Sequence, residues 1–109
     1  MAISVIASGT QSATVNTEHS LATSTTGKTY IFVVNTTNMV NADELELRIK
    51  TKVLTGSTAA LAYYAAYAHV QATPVKYSVP VPANWSCEVT LKQTAGTSRN
   101  FEWSLLSLD

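Results

Sequence analysis

The stretch Glu44-Leu45-Glu46-Leu47-Arg48-Ile49-Lys50-Thr51-Lys52-Val53 alternates charged and apolar side chains with a period of two. An extended strand through it carries Leu45, Leu47, Ile49 and Val53 on one face and Glu44, Glu46, Arg48, Lys50 and Lys52 on the other. A helix through the same residues would scatter the charges round its circumference and leave no apolar stripe. The chain is therefore a β protein with a wet sheet face. The expected fold is all-β, a single antiparallel β-sandwich of jelly-roll-like form with about eight strands.

Turn chemistry cuts the rest of the chain at short intervals, as a sandwich requires. Ile3 to Ala7 and Ala13 to Asn16 read as short extended pieces around Ser8-Gly9-Thr10, and residues 1–12 as an N-terminal arm ahead of a domain spanning 13–109. His19 to Thr25 is a strand ending at Thr26-Gly27-Lys28. Tyr30 to Asn35 is apolar on both faces and β-branched, the pattern of a central strand covered on both sides. Asn35 to Asp43 is a polar loop with room for one helical turn. Ala59 to Gln71 is ambiguous: its alanines favour helix, and Tyr63, Tyr64 and Tyr67 fit a helical stripe as well as a strand with Leu61, Tyr63 and Tyr67 on one side. Its place after the turn Thr55-Gly56-Ser57-Thr58 favours the second strand of a hairpin. Val75, Tyr77, Val79 and Val81 alternate again, but Pro74, Pro80 and Pro82 cannot donate to a ladder, which marks an edge or bulged strand. Trp85 to Leu91 and Phe101 to Leu105 complete the set, and the adjacent Leu105-Leu106 reads as a bulge. Gly9, Gly27, Gly56 and Gly96 read as turn positions with positive φ.

Little in this chain resembles catalytic machinery. A hydrolytic triad needs a His beside a nucleophile, yet only His19 and His69 are present, and Ser20 would face the opposite side of a strand from His19. No metal-ligand spacing recurs, and Asp43, Glu44 and Glu46 lack the glycine-centred offsets of a calcium loop. Cys87 has no partner for an internal disulfide, and within the alternation Trp85, Cys87, Val89, Leu91 it reads as a small core residue. Seven acidic and seven basic residues cancel, which leaves no net field to hold nucleic acid or an anionic membrane. No run reaches the ~18 apolar residues of a membrane span, and Met1 to Ile6 lacks the features of a signal peptide. The expectation is a non-enzymatic protein with no cofactor, no metal, and no nucleic-acid, membrane or small-molecule partner.

What remains is surface. Only 13% of the residues are charged, and a Thr-rich β surface of that kind is poorly protected against self-association, so the chain is expected to work in an assembly. Arg48 and Lys50 line either a solvated sheet face or an interaction surface. Trp85 and Trp103 alternate with core positions and are expected inside. Tyr63 and Tyr64 are neighbours on a strand and must face opposite ways, so one of them lies outside the core, as an assembly contact or as a platform for a sugar ring. The candidate interface residues are Ile3, Val5 and Ile6 of the arm, together with Tyr63, Tyr64, Tyr67, Arg48 and Lys50.

The order of residues adds a resemblance. Thr17-Glu18-His19-Ser20-Leu21, the segment from Leu45 to Gly56, Ala62 to Gln71, and Val89 to Thr97 with Phe101-Glu102-Trp103 together look like a family of small virion proteins of tailed bacteriophages. Among virion parts, a short β-sandwich is similar to the cement or decoration proteins that clamp neighbouring capsid subunits. The resemblance implies a major capsid protein as partner, a homo-oligomer (dimer or trimer), and a place in the virion after assembly in the host cytoplasm. A tail or head-to-tail connector part, or a host-glycan-binding module, would use the same fold.

Overall fold

The structure, a computed structural model, describes residues 2–108. It contains nine strands and, among the described residues, no helix: β1 (Ile3–Ser12), β2 (Glu18–Ser24), β3 (Lys28–Asn35), β4 (Glu44–Thr51), β5 (Ala60–Ala68), β6 (Val75–Tyr77), β7 (Val81–Ala83), β8 (Cys87–Ala95) and β9 (Asn100–Leu108). Every ladder is antiparallel. One sheet, A, runs β1-β9-β3 and is completed by β6 and β7, which pair with successive parts of β3; the other, B, runs β2-β8-β4-β5. With β6 and β7 counted as one interrupted strand, the sheets read first-eighth-third-sixth and second-seventh-fourth-fifth. That is the order of a jelly roll, a double Greek key in two layers. The core lies between the layers, where Tyr30, Phe32, Val34, Phe101 and Leu105 of sheet A meet Leu45, Leu47, Ile49, Val89 and Leu91 of sheet B.

The strongest sequence signal places β4 correctly, with Leu45, Leu47 and Ile49 buried. Val53 does not join them: β4 ends at Thr51, the chain turns, and Val53 is 82% exposed. The ambiguous alanine-rich segment is strand β5. Its register shifts against β4 between Ile49 and Lys50, so that Ile49 faces Tyr63 while Lys50 faces Leu61. The extra residue, Ala62, turns Leu61 to the outer face and leaves Tyr63 and Tyr67 packed against the core.

Residues 3–12 of the expected N-terminal arm are part of sheet A. Ile3 to Ser12 form one continuous strand paired along its length with β9, and Gly9 lies within it, against the Trp103 indole. The bulge expected at Leu105-Leu106 lies opposite, in β1 between Val5 and Ala7, where the extra residue Ile6 packs against the core. Leu105 points in and Leu106 out with β9 in regular register against β3, so the adjacent leucines mark a strand apolar on both faces. Trp85 precedes β8 instead of joining it; it is 42% exposed and donates its Nε1 proton to the Val53 carbonyl at 3.1 Å. Of the four glycines only Gly96 has positive φ (89°), whereas Asn16, Ala42 and His69 adopt it without being glycine. The loop between β3 and β4 is built from turns.

Candidate functional site

The chemistry-bearing side chains are engaged in holding backbone. Asp43, 1% exposed, accepts from the Val40 and Thr97 amides at 3.0 and 3.3 Å and from Arg99 Nε at 2.9 Å. Burial pushes its carboxyl upward, but the Val40 amide, the Arg99 guanidinium and the Thr97 amide outweigh this and hold it below the usual aspartate value. Gln93 is fully buried; its amide donates to the Ala95 and Thr97 carbonyls and accepts from Arg99 N, which fixes the β8–β9 turn. His69 Nδ1 accepts from the Ala42 amide at 2.9 Å and His19 Nε2 from the Thr14 amide at 3.1 Å, each ring bracing a loop. Ser20 faces away from His19 and donates to Glu88 at 2.6 Å. Cys87 is fully buried, and burial pushes its thiol up to about 11. Among the described residues no three His, Cys, Asp or Glu side chains gather closely enough to hold a metal ion.

The two outer faces of the sandwich differ in kind. On sheet B the paired registers bring Glu18, Glu46, Arg48, Lys50, Glu88 and Lys92 to one surface, where two ion pairs form and Arg48 Nη1 is left buried without a hydrogen-bond partner. Lys50 reaches Glu18 across β8 at 2.8 Å, and Thr90 donates to the same carboxylate at 2.7 Å. These two contacts hold Glu18 below its ordinary value. Arg48 pairs with Glu46 at 2.7 Å and lies 5.1 Å over the Tyr64 ring, while the Tyr64 hydroxyl donates to Glu46 at 2.8 Å. Desolvation pushes Glu46 up, and the hydrogen bonds from Tyr64 and Arg48 pull it below its ordinary value. Tyr64 is thus the outward tyrosine, 47% exposed. Tyr63 and Tyr67 face inward, with Lys76 of β6 reaching over the Tyr67 ring at 4.9 Å.

Sheet A presents the reverse. Its outward positions form cross-strand rows: Ile3, Leu108 and Thr29; Val5, Leu106 and Ile31; Ser8, Ser104, Val33 and Tyr77; Thr10, Glu102, Asn35 and Val75. The first three rows carry no charge, and Val5 and Tyr77 at their margins are 63% and 65% exposed. Glu102 in the fourth row is the one ionisable carboxylate among these positions, and Asn35 donates to it at 3.1 Å. Beyond it, Thr10, Asn35, Thr37, Asn38, Asn100 and Glu102 line a polar depression of about 350 Å³.

The structure therefore divides the expected interface residues. Ile3 and Val5 join the apolar face of sheet A, and Ile6 turns inward at the bulge. Tyr64, Arg48 and Lys50 share the ion-paired face of sheet B, while Tyr63 and Tyr67 belong to the core margin. Ile31, Val33, Leu106, Leu108 and Tyr77 lie outside the expected interface set, although the double-faced apolar pattern of β3 and the Leu105-Leu106 pair signal the β3 and β9 members. Comparison with protein-family models, with curated proteins and with solved structures finds no match to this chain.

Proposed function

We propose that this protein is a non-enzymatic structural component of a tailed-phage virion, a cement protein that clamps neighbouring major capsid subunits. The observation that carries the reading is the uncharged apolar outer face of sheet A, set against a charged sheet B face that holds the ion pairs Arg48–Glu46 and Lys50–Glu18. Exposed apolar surface of this extent on a small β domain marks a contact site. The sequence resemblance to small virion proteins supplies the assembly, and jelly rolls recur in viral capsids, an analogy at the level of fold alone. The test is co-sedimentation of the purified protein with undecorated phage heads, with copies counted per particle. Saturable binding at high copy number is expected. Binding limited to a small ring of copies would transfer the role to the tail or the connector.

A second reading has its own observation. The depression beside Glu102 gathers amide, hydroxyl and carboxylate groups, with the exposed Tyr77 ring one row away on the same face. Sugars are held by that combination of polar groups and aromatic platform. Glycan-array binding lost in both Asn100→Ala and Tyr77→Ala would favour a host-glycan module over a cement protein.

A further inference from the structure

We infer that the outer face of sheet A is covered by the same face of a second copy of this chain, giving a two-fold dimer in which two sandwiches stack through their A sheets. This rests on the proposed reading that the face is an assembly contact, and it names the occupant.

Three observations carry it. First, β3 and β9 are apolar on both sides. Tyr30, Phe32 and Val34 fill the core while Ile31 and Val33 face out, and Leu105 points in while Leu106 and Leu108 point out. Strands with that pattern are normally covered on both faces, and this chain covers only one.

Second, the face suits itself. An isologous contact places every group opposite a surface of identical composition. A face bearing Lys or Glu would meet its own charge across the axis, at a cost of desolvation and repulsion. The rows built on Val5, Leu106, Ile31, Leu108, Val33 and Tyr77 carry no charge to oppose. Glu102, held by Asn35, lies at the far end, where it stays at the rim.

Third, the size fits. Four strands at ~4.8 Å spacing and about six residues of ~3.3 Å rise give roughly 400 Å² in plan. Two such pleated faces, with their side-chain relief, would remove roughly 1,000 Å² from water in total, the lower bound of a specific interface. Sheet-on-sheet stacking at ~10 Å is also the packing by which this molecule already builds its own core.

The test is sedimentation equilibrium of the full chain across a concentration series, for wild type, Val5→Glu, Tyr77→Glu and Leu61→Glu. Val5 and Tyr77 are exposed at the margins of the face, so their variants should fold, which far-UV circular dichroism and a thermal melt would establish. Wild type and Leu61→Glu, whose substitution lies on sheet B, are expected to be dimers with similar dissociation constants. Val5→Glu and Tyr77→Glu should weaken dimerisation by at least about tenfold. A wild-type chain that stays monomeric throughout, or folded Val5→Glu and Tyr77→Glu variants that dimerise like wild type, would overturn the inference. A monomer that still binds heads at high copy number would overturn this dimer while leaving the cement role standing; a dimer blind to heads would uphold the dimer and remove the role.

Discussion

Asp43 is the residue whose loss should be felt most. It is buried, it closes three contacts from two loops, and Gly96 abuts it so tightly that an added Cβ would stand 2.0 Å from its Oδ1. Asp43→Ala strands the Arg99 guanidinium and two amides, and should cost about 2–4 kcal/mol in a urea titration. Gly96→Ala combines that clash with a positive φ and should cost at least about 2 kcal/mol by the same measurement. The pH dependence follows from the same group. The folded-state values of Asp43, Glu18 and Glu46 lie below their unfolded ones, so their stabilisation is complete above the unfolded values near pH 4 and is lost as pH falls through the folded values. The thermal midpoint should therefore fall below about pH 4, and less steeply for Asp43→Asn, in which the depressed carboxyl is absent. At the alkaline end the sign reverses. The Cys87 thiol is raised to about 11, so its contribution is complete below the unfolded value and fades as pH climbs toward 11. Native protein should resist a thiol reagent at neutral pH and react at the rate of unfolding.

At the scale of elements, β1 changes the expected behaviour of a truncation. A detachable arm could be cut away with the fold intact. Here removal of residues 2–12 would strip sheet A of an edge strand, leave half of the β9 ladder unpaired and uncover Leu105 and Trp103. The truncated chain is expected to be unfolded by circular dichroism. Sequence reading succeeded where one period dominates: β4 and β8 alternate cleanly, and their core positions were legible. It failed at bulges. Ile6 and Ala62 each shift the facing of their neighbours by one residue, and a bulge has no composition of its own, so the sequence reading sets Ile6 at an interface and Leu61 on the same side as Tyr63 and Tyr67. Asp43 with Arg99 was equally opaque, because the pair is separated by most of the β4-to-β9 path and only the fold brings it together. The apolar face of sheet A was legible in its parts, as a doubly apolar β3 and a double leucine in β9. Each has a local explanation in the sequence, full coverage or a bulge, because a strand's neighbours are set only by the topology.

For the whole molecule, the asymmetry between its two broad faces sets the response to solvent. The Cα frame measures 40 × 30 × 19 Å, a slab whose large sides are the two sheets. Ion pairs on side B are surface pairs, each worth less than about 1 kcal/mol and weakened by salt. Association through side A is apolar and should strengthen with sulfate, an excluded salt. Raising sodium chloride to moderate levels should leave the dimer unchanged in sedimentation, while ammonium sulfate should raise its fraction; dissociation by sodium chloride would point to the charged face instead.

The pairing of Ile3 with Leu108 has a practical consequence for anyone handling the protein. Whatever is joined ahead of Ile3 or after Leu108 emerges at the same corner of side A, so an affinity tag at either end would shade the very surface under study. The turn around Gly56, where an added side-chain carbon meets nothing within 4 Å, joins two strands of the opposite sheet. A fluorophore or peptide inserted there would report on the protein without covering its apolar side.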